Sequence, residues 1–284
     1  MPFTSFHLDK LRWLIRSTGF RRHPGRVMSR VFLWEVNRLL NREISYLYDQ
    51  TFPITLRPNE GVSRLVFYFG VSEPDLFDFY HSYLRPGMTV LDVGANIGLH
   101  TLYMAKRVSP GGHVHAFEPS PEIFRRLLQH VQNSKLSNIH AHLFGLGAEG
   151  GETFFHQVES DTSRSFLSDK PSGQRVVVRT LDEVARENCW DKVHFVKMDV
   201  EGFELGVLRG ARQFLSEGRA EVLQVEIDGA SLARNSADQG GVMSFLTSLG
   251  YVHSQWDPQT KAFYRIKDGG VDYNSFFVSP KLMK

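Results

Sequence analysis

Val90-Leu91-Asp92-Val93-Gly94-Ala95-Asn96-Ile97-Gly98 is the stretch on which the fold turns. A mostly apolar strand runs into a turn holding two glycines, and a helix opens from Gly98. At the carboxyl end of a strand in an open sheet, such a turn is where ligands bind. Gly94 lets the backbone come close to a ligand, and Gly98 lets the helix start pack tightly on the sheet. The spacing is D-x-G-x-x-x-G, not the G-x-G-x-x-G of dinucleotide sites, whose middle glycine approaches a pyrophosphate. Asn96 takes up the space a diphosphate would need. Asp92 sets a carboxylate where phosphates would be repelled, and it suits a cationic amino-acid end instead.

Outward from this turn the chain alternates. Strands are expected at residues 88–93, 113–117, 138–144, 193–199 and 221–227. Helices are expected at 98–107, 121–135, 181–188, 204–216 and 240–249. That alternation builds an α/β fold with a mostly parallel, doubly wound sheet. Two last strands, 251–256 and 261–266, add an antiparallel C-terminal edge. A strand pair, 152–157 and 174–179, brackets the polar loop 158–173, which suits a lid or acceptor-binding loop as well as a solvated hairpin tip. Upstream, strands are expected at 51–56 and 64–69 around Arg57-Pro58-Asn59-Glu60-Gly61, followed by a helix from 73 or 74 to 84.

The second core strand ends at Phe117-Glu118-Pro119. An acid at that tip can accept hydrogen bonds from both hydroxyls of a ribose. Alternatively, it caps the helix that follows. A loop acid and a ribose-binding acid without a phosphate nest describe S-adenosylmethionine better than NAD. The cofactor-binding residues expected on this reading are Asp92, Gly94, Asn96, Gly98 and Glu118.

Taken together, Asp92-Val93-Gly94-Ala95-Asn96-Ile97-Gly98, Phe117-Glu118-Pro119 and Lys197-Met198-Asp199-Val200-Glu201-Gly202-Phe203-Glu204 resemble the FkbM-type methyltransferases. Thr180-Leu181-Asp182, Leu208-Arg209-Gly210-Ala211 and Glu226 agree as well, and the likeness spans roughly residues 73–228. It implies a class I Rossmann-like methyltransferase fold, S-adenosylmethionine as methyl donor, and O-methyl transfer to a small metabolite or glycan hydroxyl. Phe144-Gly145-Leu146-Gly147 departs from the pattern, lacking the acid that many such enzymes turn toward adenine. A dinucleotide oxidoreductase and a cofactor-binding module without turnover are the competing readings.

Methyl transfer is an in-line displacement, so the enzyme must hold two reacting atoms, exclude water and take up a hydroxyl proton. Asp199 and Glu201, following the strand at 193–199, are the expected catalytic residues, Asp199 first as base or as the group facing the methyl. Glu201 could instead cap the next helix. With Glu226 they form a set of three acids at neighbouring strand ends. Such oxygen-rich sets can hold Mg²⁺, but nothing in the spacing fixes a coordination shell, and no metal ligand is assigned. His113/His115 and His140/His142 each put two rings on one strand face. A shared zinc is geometrically imaginable, but packed histidines are the expectation. His156 is a weaker proton acceptor, and Trp190 and Trp256 are expected in the core.

Composition bounds the rest. The chain has 284 residues, 42% hydrophobic, 23% charged, with a net charge of +2, which excludes disordered and collagen-like classes. A single cysteine, Cys189, excludes an internal disulfide and fits a reducing, cytoplasmic compartment. No nucleic-acid partner is expected. The charge is uneven: residues 1–50 carry nine Lys and Arg against four Asp and Glu, and the remainder has 24 against 27. Three segments follow: a basic helical N-terminal extension (1–50), a strand pair and helix (51–86), and the catalytic domain (87–284). The extension reads as helices at 5–17 and 27–48. It could pack on the main domain, dock on an anionic membrane or an acidic partner, or serve as an organelle-targeting peptide.

Overall fold

A computed structural model describes residues 24–157, 165–168, 173–266 and 270–283. The chain divides into two compact units, 1–74 and 75–284. The helix expected at 5–17 lies outside the described residues.

In the first unit, helix α1 (Pro24–Leu39) precedes an antiparallel hairpin, β1 (Ile44–Tyr48) and β2 (Phe52–Leu56), and helix α2 (Gly61–Phe69). Trp34 is buried against Phe67 and Tyr68, with ring centroids 5.7 and 6.0 Å away. Two expectations are corrected here. The helix expected at 27–48 stops at Leu39, because Asn41 takes a left-handed φ of 49° and Ile-Ser-Tyr-Leu-Tyr then alternates at a strand's period. The strand expected at 64–69 is helix α2, in which Ser63, Val66 and Phe67 share the buried face. A short apolar run fits both periods, and Gly70 at φ 91° ends this one as a helix, its N–H bonding to the Val66 carbonyl.

The second unit opens with α3 (Pro74–Tyr83). An eight-stranded sheet follows in the order β13-β12-β14-β11-β10-β3-β4-β5. Its parallel half contains β3 (Thr89–Val93), β4 (His113–Phe117), β5 (Ile139–His142), β10 (Val193–Met198) and β11 (Ala220–Glu226). Between these strands run α4 (Leu99–Val108), α5 (Pro121–Ser134), α6 (Leu181–Glu187), α7 (Glu204–Gly210) and α8 (Arg212–Ser216). The helix expected at 204–216 is thus two, broken where Gly210 presses on the Gly147 carbonyl. Val90 and Leu91 in β3, Phe195 and Val196 in β10, and Val222 and Leu223 in β11 are buried as adjacent pairs, which marks strands covered on both faces.

After β11 come a short helix, α9 (Gly229–Leu232), and α10 (Gln239–Ser248). The expected edge hairpin is present as β12 (Val252–Asp257) and β13 (Ala262–Arg265), but it does not pair with β11. Strand β14 (Asn274–Val278) lies between, antiparallel to both β11 and β12. A second sheet, ordered β6-β9-β7-β8, combines β6 (Gly145–Leu146), β7 (Gly151–His156), β8 (Phe166–Ser168) and β9 (Gln174–Arg179). Here the expected strand pair is β7 and β9, and β8 is a third strand inside the loop expected to be only polar.

Candidate active site

The parallel strands β3, β4 and β10 end at one edge of the large sheet, and the loops that follow them line an open cavity. Gly94, Asn96 and Glu118 line one side, Asp199 and Glu201 the other, and Phe166 of β8 covers part of it.

The first side is built by backbone hydrogen bonds. The N–H groups of Gly94 and Ala95 donate to the Phe117 carbonyl at the end of β4, at 3.1 and 2.9 Å. Asn96 adopts a left-handed φ of 50°, and its N–H donates to Glu118 Oε2 at 3.0 Å. Glu118 Oε1 accepts from the Ser120 N–H at 2.9 Å, while Ser120 itself caps α5. Burial pushes the Glu118 carboxyl up to about 7, opposed by these two donors and assisted by the negative charge of Asp92. Each carboxylate oxygen has two lone pairs, so both retain one beyond the bond to the backbone. Glu118 is thus an anchor of the loop and a lining residue of the cavity.

Gly94 and Gly98 have left-handed φ angles of 82° and 88°. A Cβ on Gly94 would lie 1.8 Å from the Asp199 carbonyl oxygen, so the protein's own backbone already demands glycine there. Gly98 faces Leu127 of α5 at 2.4 Å by the same measure, so its close approach is to a helix rather than to the sheet. Asp92 is fully buried beneath the turn and is not a lining residue. Its Oδ2 accepts from Thr101 Oγ1 at 2.5 Å, and Lys197 Nζ lies 3.8 Å from Oδ1.

The second side gathers charge. Lys197, almost completely buried, holds Asp199 Oδ2 at 3.0 Å. Oxygens of Asp199, Glu201 and Glu226 all lie within 4.8 Å of one another. Like charges that close cannot all ionise, and the three are distinguishable by their partners. Asp199 has Lys197; Glu201 has Arg234 at 3.8 Å and the Ser231 hydroxyl at 3.4 Å. Glu226 accepts from the Tyr273 hydroxyl and lies close to the charge of Asp199. Burial first, then the charge of Asp199, pushes Glu226 up to about 10, so it carries the proton of the cluster.

Glu204 fixes the loop behind these acids. Its Oε1 accepts from the N–H groups of Val200 and Gly202, at 3.2 and 3.1 Å, and burial pushes it up to about 7. Gly202, at φ 104°, packs its α-carbon on the Ser231 backbone, where a Cβ would lie 2.1 Å from the carbonyl oxygen. The turn after β11 completes the wall: Arg234 stands 4.9 Å over the Phe166 ring, and Asn235 Nδ2 bonds the Leu167 and Gly202 carbonyls. Glu201, at φ 51°, is held in this wall rather than capping α7.

Residues 92–252 match the methyltransferase FkbM domain. The chain belongs to the FkbM methyltransferase family. That span is more than half of the sequence, and it contains the glycine turn, Glu118 and the acidic cluster. This FkbM-family chain is 30% identical over 212 residues to 31-O-demethyl-FK506 methyltransferase FkbM of Streptomyces tacrolimicus, covering 62% of this chain and 77% of that one. It is 30% identical over 143 residues to Methyltransferase 1 of Beauveria bassiana, 43% of this chain and 57% of the other. It is 27% identical over 134 residues to the hexuronic acid methyltransferase AglP of Haloferax volcanii, 47% and 54% respectively. The matches to the last two span little more than half of those relatives' length. The family is one of S-adenosylmethionine-dependent methyltransferases.

Sequence reasoning singled out the acids of this site but missed their partners. Lys197, Glu204, Tyr273 and Arg234 carry much of its electrostatics. Lys197 has a sequence signal, a charged residue inside an otherwise apolar strand; Arg234 and Tyr273 have none. The four histidines on β4 and β5 pair two by two: His113 Nδ1 with His140 Nε2 at 3.1 Å, and His115 Nδ1 with His142 Nε2 at 3.2 Å. Among the described residues, the only three candidate metal ligands brought together are Asp199, Glu201 and Glu226. His156 stacks on Phe166 at the cavity's cover, while residues 158–164 of the expected lid lie outside the described residues.

Proposed function

We propose that this chain transfers a methyl group from S-adenosylmethionine to a hydroxyl of a small metabolite or a sugar. One observation carries the reading: a single cavity has on one side an acid whose oxygens keep lone pairs beyond their backbone bonds, and on the other a carboxylate beside a buried ammonium. Glu118 would accept from ribose hydroxyls, with the turn at Gly94–Asn96 held against it. The apolar lining of Pro119, Ile123 and Leu146 fits a flat base, replacing the acid that the Phe144–Gly147 turn lacks. Bound there, the cofactor supplies an electrophilic methyl on a positively charged sulfonium.

The remaining roles belong to the chain. Asp199 accepts the proton of the acceptor hydroxyl, and its negative charge favours a cationic group nearby. Lys197 holds its Oδ2 and fixes its orientation. Glu201, oriented by Ser231 and Arg234, is placed to bind a second acceptor hydroxyl. Phe166 and Leu167 exclude water from above. Relatives named as a hexuronic acid methyltransferase and a 31-O-demethyl-FK506 methyltransferase support an acceptor that is a sugar or another small metabolite. We assign no metal, because the Lys197 ammonium already supplies the positive charge beside Asp199. The single exposed thiol of Cys189 is compatible with a reducing, cytoplasmic setting.

Calorimetry with S-adenosylmethionine and with NADH tests the cofactor: micromolar binding of the first and none of the second is expected, and the reverse preference overturns the reading. A panel of hydroxyl metabolites and oligosaccharides, screened by mass spectrometry for gain of a CH₂, tests the reaction.

A further inference from the structure

Helix α1 is apolar on two opposite sides. Val27 and Trp34 face inward, Trp34 onto Phe67 and Tyr68 of α2. The other side carries Met28, Phe32, Leu33 and Leu39, with Leu40 just beyond, exposed by 47, 68, 49, 76 and 54%. At the helical angle per residue they fall within a sector about 140° wide, opposite Trp34. Of the eleven large apolar side chains exposed among the described residues, five lie in this stretch, so this is a patch and not scatter. A surface helix turns polar residues outward, whereas one apolar all round is covered.

The charges select what covers it. Residues 24–42 hold Arg26, Arg30, Arg38 and Arg42 against Glu35 alone, and residues 1–23 hold five Lys and Arg against Asp9. A second copy would set one cationic segment against another, and the first 23 residues would do the same within one chain. An anionic lipid surface is complementary in both respects: it accepts the apolar sector at the headgroup boundary and attracts the arginines. Among the described residues no helix is long and apolar enough to cross a membrane, so α1 would lie in the surface plane.

We propose that the outward side of α1 docks this protein on an anionic membrane surface, with Phe32 and Leu39 entering the lipid and Arg26 and Arg42 meeting phosphates. The proposal is independent of the methyl-transfer reading. Co-sedimentation of the full chain with vesicles of phosphatidylcholine, alone or with about one third phosphatidylglycerol, tests it. Binding to the anionic vesicles only is expected, lowered about tenfold by Phe32→Glu with Leu39→Glu and several-fold by Arg26→Glu with Arg42→Glu. Circular dichroism of both variants should match the wild type. Absence of vesicle binding, or equal binding by the Phe32→Glu/Leu39→Glu variant, overturns the proposal. A concentration-dependent dimer abolished by Phe32→Glu would identify a second copy as the occupant. A polarity-sensitive dye on Phe32→Cys in a Cys189→Ser background tests the remaining occupant: blue-shifted emission without vesicles would show that the chain covers its own patch, against the proposal.

Discussion

The two sides of the cavity handle carboxylates in opposite ways. Around Glu118, buried acid is matched by fixed backbone donors, so the group is held in one geometry by bonds that exist before any ligand arrives. Around Asp199, three acids share one proton, one ammonium and one guanidinium. The first arrangement is satisfied and rigid, as a binding surface needs to be. The second is electrostatically crowded, so a proton added or removed changes every member of it. On the proposed function, binding and chemistry have separate electrostatic designs, joined where the Gly94 turn meets the Asp199 carbonyl.

Substitutions can break that division. The largest effect is expected from Asp199→Asn, which should lower turnover about 10²- to 10⁴-fold while leaving S-adenosylmethionine affinity, measured by calorimetry, nearly unchanged. A comparable loss of affinity would merge the two sides into one. Gly94→Ala should affect both, because the left-handed backbone and the clash with Asp199 together cost about 3–5 kcal/mol. Thermal unfolding reads this as a large drop in Tm, and an unchanged Tm would mean that the turn and the β10 loop are not locked together.

Glu118→Ala strips the N–H groups of Asn96 and Ser120 of their acceptor, at about 1–3 kcal/mol for the buried Ser120 donor. It should weaken cofactor binding more than tenfold and lower Tm, whereas Glu118→Gln should restore part of the stability but little of the affinity. Wild-type affinity should also increase as pH rises through about 7, where Glu118 ionises; a flat profile would remove ionised Glu118 from ribose recognition. The smallest effect belongs to Glu226. Folding raises its pKa from 4.5 to about 10, so the folded state binds an extra proton between those values. Its contribution to stability is complete below pH 4.5 and is lost as pH rises toward 10. Glu226→Gln should therefore flatten the fall in stability between pH 5 and 9, read from chemical denaturation across that range. Equal slopes in both proteins would show that Glu226 is ionised in the fold.

Much of this was legible in the sequence because the parallel strands are long apolar runs punctuated by glycine turns, and because acids at strand ends are conspicuous. Asp199, Glu201 and Glu118 are read by position alone. Their partners are not: Arg234 and Tyr273 reach the site through contacts 33 and 47 residues away in sequence, and no local pattern encodes such meetings. Residues 61–69 fail for another reason. Val62, Val66 and Phe69 satisfy a helical period, but Leu65-Val66-Phe67-Tyr68-Phe69 also reads as a strand, and only the glycine after it and packing against Trp34 decide. Strand β14 was missed because Asn274–Val278 is short and has apolar residues only in its second half.

That last strand has a consequence for how the chain is made. β14 is the final strand in sequence but an interior one in the sheet, seated between β11 and β12. While the protein is being synthesised, β11 has an open edge and the β12–β13 hairpin has no sheet to join until residue 278 has emerged from the ribosome. The buried Phe277 and Val278 close that edge in one late event. The second unit therefore cannot assemble strand by strand in the order of translation, and its nascent form presents to the cell an unfinished β-edge.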